Sequence, residues 1–161
     1  MNNDARIMRT AMRHAVALAA LCLLWSCACH RTRTAAAAGS VAYSEARHYF
    51  FNNDAQLLSS PVVTTQTEFD RLYGAAAVMG SDGQPTPVDF ARQFVIGIVL
   101  PLTNDYTEVV PGRLTREGDT LTLHYTLRVG ERNMSWTMRP MALIVVDRSQ
   151  LAARCVLQQD R

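Results

Sequence analysis

Three histidines, His30, His48 and His124, follow the N-terminal apolar segment and are the first candidates for acid–base chemistry. Nucleophilic catalysis needs a base beside the nucleophile and a third group that orients the base. His124 alternates with apolar residues in a predicted strand, so we expect a solvated side chain there. Ser135 and Cys155 lie in no recognisable nucleophile motif. The sequence therefore predicts no catalytic site, and an enzyme with an unrecognised site that uses His48 or His124 is the alternative.

The carboxylates, glycines and cysteines also form no metal or cofactor pattern. Asp105 and Glu108 are three residues apart, so an extended backbone directs them to opposite faces. The loop around Asp82 has too few oxygen ligands at fixed spacing for calcium. The sequence contains no C-x-x-C pair for zinc, no phosphate-binding glycine loop and no dinucleotide-binding fingerprint. We therefore predict no metal and no organic cofactor.

One polar pentapeptide is the candidate binding loop. It consists of Thr103, Asn104, Asp105, Tyr106 and Thr107. It follows a predicted buried strand and is therefore expected at one end of the sheet, where loops on a rigid scaffold often carry binding residues. Short polar side chains beside one tyrosine suit the recognition of another molecule. An ordinary turn is the alternative.

The first 26 residues have the three-part pattern of an export signal. Arg6, Arg9 and Arg13 precede an apolar run over residues 15–25, and the small residue Ser26 follows it. The run is shorter than the roughly 20 apolar residues that a membrane-spanning helix needs. We therefore predict a signal that is removed rather than a permanent span.

The end of this signal is Leu24-Trp25-Ser26-Cys27, and it resembles the lipobox of bacterial lipoproteins. The resemblance implies cleavage after Ser26, a thioether-linked lipid on Cys27 and an acylated N-terminal amine. Each buried methylene contributes ~0.8 kcal/mol, so several acyl chains anchor a protein stably. The expected location is the cell envelope, at its periplasmic face or the outer membrane. Cys29 is a poorer lipidation site, and a soluble secreted protein cut after Ala28 is the alternative.

Charge and length limit the partners and the number of domains. The signal holds three of the 16 arginines and one of the 14 acidic residues, so 13 of each remain. Nucleic-acid binding is not expected, because it needs a concentrated basic face. The remaining 135 residues suffice for one domain. We predict a signal peptide at 1–26, a flexible tether at 27–42 and a single domain at 43–161.

Residue patterns in the domain predict an α+β fold, mainly an antiparallel sheet of six to eight strands with one amphipathic helix. Thr65 and Glu68 match a capping box, and the helix is predicted from Glu68 to Met79. Thr120–Val129 alternates apolar and polar residues, as in a half-buried strand. The apolar run Phe94–Leu100 predicts a strand buried on both faces, with Gly97 packed closely against the helix. The other predicted strands cover residues 47–51, 61–63, 106–115 with a bend at 111–112, 134–138, 141–146 and 154–158.

Two further residues are expected in the core. Trp136 alternates with Met134 and Met138, a pattern typical of a buried strand face. Cys155 is expected as a buried small hydrophobic residue. An oxidising envelope would also permit a disulfide between Cys155 and Cys29, and the sequence leaves that alternative open.

The order of motifs between residues 89 and 147 carries a second resemblance. Asp89-Phe90 comes first and is followed by the apolar run that starts at Phe94. A predicted strand then follows Gly118-Asp119, and Thr137–Pro140 leads into the apolar run 142–147. This order resembles the protease-complex subunit (PrcB-like) C-terminal domain family, whose members are small β-rich modules associated with a protease. The resemblance implies a non-enzymatic protein-binding domain that is protease-associated or protease-inhibitory. A structural lipoprotein in an outer-membrane assembly is the alternative.

Overall fold

The computed structural model describes residues 39–56, 59–76, 79 and 83–161. The predicted signal peptide, its cleavage site at Ser26 and the predicted lipid attachment at Cys27 lie outside these residues. Cys29, His30 and most of the predicted tether lie outside them too.

The described residues form ten strands, one α-helix and one 3-10 helix. The elements in chain order are β1 (Ser40–Val41), β2 (Tyr43–Ala46), β3 (Tyr49–Phe51), β4 (Val62–Val63), α1 (Gln66–Leu72), β5 (Tyr73–Ala75), β6 (Gln93–Val99), β7 (Thr107–Glu117), β8 (Thr120–Val129), β9 (Met141–Asp147), the 3-10 helix (Arg148–Gln150) and β10 (Arg154–Gln159). The predicted α+β class is confirmed. The strands outnumber the predicted six to eight because several are only two to four residues long, too short to produce a periodic pattern.

The strands are arranged in three sheets. Sheet 1 has the order β1-β7-β8-β10, sheet 2 has the order β2-β9-β6-β4, and β3 pairs with β5 alone. All of these pairs are antiparallel except β8 and β10, which run parallel. The domain is therefore layered, with sheet 2 between sheet 1 and the helix.

Each face of sheet 2 covers a hydrophobic core. Phe94, Ile96 and Ile98 point toward sheet 1, where they meet residues such as Leu121 and Leu123. The intervening residues of the sheet point the other way, toward α1, β3 and β5. This second core contains Ala46, Phe51, Val63, Phe69, Leu72, Tyr73, Val95, Leu143 and Val145. The continuous apolar run in β6 therefore has the predicted cause, burial on both faces.

The helix has the predicted cap at Thr65, but it begins two residues before the predicted start at Glu68 and also ends earlier than predicted. The Thr65 side chain accepts a hydrogen bond from the Glu68 N–H (3.3 Å) and caps α1. The prediction that the helix reaches Met79 is wrong, because Tyr73 is already extended and starts β5. The Tyr73 ring packs against Phe51 and Phe69, with centroids 5.8 and 5.2 Å apart. Burial of this aromatic group stabilises a strand where local spacing favours a helix.

Several strand boundaries differ from the prediction. The domain begins by Ser40, because β1 pairs with β7, so the predicted tether end at residue 42 is too late. The predicted strand at 47–51 is interrupted by His48, whose φ of 64° is left-handed. The bend in β7 is confirmed by the register shift between Pro111 and Leu114. The predicted strand at 134–138 is wrong, since this segment is irregular.

Gly97 in β6 allows sheet 2 and the helical layer to approach closely. A Cβ at this position would overlap the Tyr73 hydroxyl and lie 3.2 Å from Leu143 Cδ2. Tyr73 directly follows α1, so the close packing expected for Gly97 involves the residue that caps the helix.

We expect Gly97→Ala to lower the free energy of unfolding by ~1–3 kcal/mol, because the added methyl group forces Tyr73 out of its packed position. In a Tyr73→Phe background the same substitution should lower the free energy of unfolding by less, since the overlapping oxygen is gone. Urea unfolding of the wild type, the two single variants and the double variant measures this difference. Equal costs in both backgrounds would contradict the assigned contact.

Candidate functional site

The predicted binding loop is one half of a larger structure, which we call the double loop and define as residues 102–107 and 129–138. Its two segments are joined by backbone hydrogen bonds. The N–H groups of Thr103 and Met138 donate to each other's carbonyls, at 3.0 and 2.8 Å. The N–H of Tyr106 donates to Glu131 O (2.7 Å), and that of Gly130 to Tyr106 O (2.9 Å). These reciprocal bonds hold the segments as one unit.

Most polar side chains of the predicted loop form hydrogen bonds to the backbone of the double loop. Asp105 Oδ1 accepts a hydrogen bond from the Asn133 N–H (2.9 Å), and Thr103 Oγ1 accepts one from the Asp105 N–H (3.0 Å). The Thr107 hydroxyl donates to Asp105 O (3.1 Å) and is buried. Asn133 has a φ of 54°, a conformation that asparagine tolerates better than most residues. Within the pentapeptide, only Asn104 and Tyr106 are exposed.

Apolar side chains form the outer surface of the double loop. The described residues contain eight large hydrophobic side chains that are exposed, and four lie here: Leu102, Tyr106, Val129 and Trp136. Trp136 is 53 % exposed, so the prediction that it lies in the core is wrong. The predicted strand that would have buried it does not form. Its neighbour Met138 turns inward instead, and its sulfur lies 3.5 Å from the Thr107 nitrogen.

The second segment of the double loop is the part that sequence reasoning missed. Prolines give a usable signal for it, since Pro101 follows β6 and Pro140 precedes β9. Proline cannot donate a ladder hydrogen bond, so it disfavours continuation of a central strand. A proline after β6 and a proline before β9 therefore indicate that the segments beyond them are irregular and lie at the same end of the sheet.

His124 is buried rather than solvated, which corrects the sequence prediction. It is 7 % exposed, and its Nδ1 lies 2.9 Å from Asp160 Oδ1. The cause is β10, which runs parallel to β8 and places Gln158 beside His124. The Asp160 N–H then donates to Tyr125 O (2.7 Å). This pair combines a base with an orienting carboxylate, but among the described residues no serine, threonine or cysteine hydrogen-bonds to it.

His48 lines a cleft of about 310 Å³ together with Glu45, Arg47 and Glu108. The charged groups around it are already paired, since Arg47 Nη2 lies 2.9 Å from Glu45 Oε2 and Arg128 Nη1 lies 3.6 Å from Glu108 Oε2. Exposed pairs of this kind contribute little stability. In the described part of the chain, no three His, Cys, Asp or Glu side chains cluster in a way that could hold a metal ion.

The possible nucleophiles are also poorly placed. Cys155 is a partly buried free thiol, and burial raises its pKa to about 11. It is therefore almost fully protonated at neutral pH, whereas the thiolate is the nucleophile. Ser135 is exposed in the double loop without a neighbouring base among the described hydrogen bonds. Asp105 and Glu108 have separate partners, because Asp105 accepts a hydrogen bond from the Asn133 N–H and Glu108 faces Arg128.

Comparison with known proteins gives no match: no protein family, curated protein or solved structure is significantly similar to this chain. Among the described residues, no helix has the length and apolar character needed to cross a bilayer. The double loop is therefore the candidate binding surface on the grounds of its own geometry.

Proposed function

We propose that this protein is a lipid-anchored protein of the bacterial cell envelope that binds a partner protein through its double loop and has no enzymatic activity of its own. The observation that carries the proposal is the exposure of Tyr106 and Trp136 on a loop pair that is held by reciprocal hydrogen bonds. Tyrosine and tryptophan are the residues most enriched among binding hot spots.

The rigidity of the double loop supports binding to a protein surface. Loops lose conformational entropy when a partner orders them, and a loop already fixed by hydrogen bonds loses less. The bonds between Tyr106, Gly130 and Glu131 fix the backbone that carries the aromatic groups. Tyr106 also packs on Gly130, where a Cβ would lie 3.0 Å from its ring. The aromatic side chain is thus positioned before a partner arrives.

The class of partner comes from the resemblance to the PrcB-like domain family. That resemblance spans residues 89–147 and includes both segments of the double loop. We propose a protease as the partner. The absence of catalytic activity is supported by the protonated thiol of Cys155 and by His124, which engages Asp160 instead of a nucleophile.

The lipid anchor predicts a defined mature N-terminus. We expect mass spectrometry of the protein from bacterial membranes to find a chain that starts at Cys27 and carries acyl groups. A Cys27→Ser variant should keep its signal, because lipoprotein processing requires the lipidated cysteine. An unmodified N-terminus at another residue, such as Cys29, would contradict the anchor while leaving the double loop as a binding surface.

Partner binding should depend on the double loop. We expect the full chain to capture an envelope protease from membrane extract, and Trp136→Ala to weaken binding of the purified protease by about tenfold or more, as hot-spot truncations do. Val156→Ala is the matched control, since Val156 is also about half exposed but lies in β10. Equal affinities of the wild type and the Trp136 variant would contradict the proposal, as would binding that the Val156 variant loses equally.

A further inference from the structure

β10 leaves one edge of sheet 1 unpaired. It is the last strand in the order of this sheet, and no other strand among the described residues pairs with its outer side. Sheet edges in proteins are usually short, bent or interrupted, because an open row of N–H and C=O groups pairs readily with another strand. The edge strands β1 and β4 have two residues each. The edge strand β2 ends shortly before His48, whose left-handed φ of 64° interrupts the extended chain.

The sequence of β10 has none of these protective features. The strand is six residues long and contains no proline or glycine. Its pairing with β8 continues over all of these residues without a register shift. Val156 is exposed in the middle of the strand. Of the edges of the two four-stranded sheets, β10 is therefore the one at which a further strand fits best.

The bonds between β10 and β8 show which backbone groups face the open edge. The N–H of Asp160 donates to Tyr125 O (2.7 Å), so the even-numbered positions of this segment are directed toward β8. Backbone directions alternate along a strand. The N–H and C=O groups of Cys155, Leu157 and Gln159 therefore point away from β8. The backbone hydrogen bonds of the described residues include none from these outward groups.

The edge is complementary to a second copy of itself. When two copies of β10 lie antiparallel with Leu157 opposite Leu157, Cys155 lies opposite Gln159. The outward N–H and C=O groups of each copy then bond to those of the other. The same register places Arg154 opposite Asp160, and opposite charges at facing positions stabilise a strand pair. A register shifted by two residues keeps backbone bonds but separates these charges.

Both charged side chains are available for this pairing. Arg154 is exposed, and none of the ion pairs in the described part of the chain includes it. The Asp160 side chain is 41 % exposed, and its Oδ1 lies 2.9 Å from His124 Nδ1. The hydrogen bonds of the described residues include none to Asp160 Oδ2. This oxygen is therefore left for a guanidinium, which forms strong hydrogen bonds with carboxylates.

The inner face of this edge has room for side chains of an added strand. Cys155 and Leu157 line a cleft of about 250 Å³, and its other walls include Phe51, Ser60 and Val99. Side chains at paired positions lie on the same face of a sheet. Leu157 of a second copy would therefore lie beside this cleft and add apolar contacts to the backbone bonds.

We propose that two copies of this protein pair through β10, so that their copies of sheet 1 form one continuous sheet about a two-fold axis at Leu157. Each copy contributes the same edge, so the contact is closed and ends at a dimer. This inference does not depend on the proposed partner protein, because β10 lies outside the double loop.

Static light scattering of the full chain in detergent, over a series of protein concentrations, measures the assembly. We expect an equilibrium between monomer and dimer. Arg154→Glu should raise the dissociation constant of the dimer by about tenfold or more, because it places like charges at both facing positions. Arg113→Glu makes the same charge change at an exposed site in β7 and should dimerise as the wild type does.

Gln159→Pro tests the backbone pairing. Proline removes the outward N–H of residue 159 and leaves the bonds to β8, as edge strands tolerate. The dissociation constant should rise by about tenfold, because each copy loses one hydrogen bond to the other. Gln159→Ala removes the same exposed side chain but keeps the N–H, so it should dimerise as the wild type does.

Circular dichroism checks the fold of every variant. A chain that stays monomeric at every concentration would overturn the proposal. So would a dimer whose dissociation constant is unchanged in either Arg154→Glu or Gln159→Pro, since that dimer would form through another surface.

Discussion

Burial of sheet 2 on both faces is the constraint on which the rest of the structure depends. The pairing of β6 with β9 places Phe94 and Ile96 in one core and Val95 in the other. Each fully buried side chain of this kind contributes about 1.5–3 kcal/mol. A sheet in this position needs a layer on each side, which sheet 1 and the helical layer supply. The register of these two strands therefore determines where every other element packs.

The double loop is a direct consequence of this layering. Residues 100–106 take the chain from β6 in sheet 2 to β7 in sheet 1, and residues 130–140 return it from β8 to β9. Both crossings occur at the same end of the domain, so their backbones meet and bond, as at Thr103 and Met138. The surface proposed for partner binding thus rests on the two strands that are most deeply buried.

The sequence predicts structural features that leave a local pattern. Burial along a whole strand leaves such a pattern in β6 and β8, and the helix cap leaves one at Thr65. Features that depend on distant segments could not be predicted. The helix ends before Tyr73 because that ring is buried against Phe51, and no local spacing reports this. His124 is on the expected face of its strand, but a carboxylate from the far end of the chain covers it. Trp136 is exposed although its sequence pattern predicts a strand, because alternation over five residues occurs in irregular segments as well as in strands.

In the proposed function, the aromatic surface of the double loop contacts a protein in the envelope. The most direct measurement replaces Trp136 with a photo-crosslinking amino acid in living cells and identifies the products by mass spectrometry, with position 156 in β10 as the control site. We expect one dominant crosslinked protein, a protease, from position 136 and no protease from position 156. The same products from both positions, or none from position 136, would contradict it.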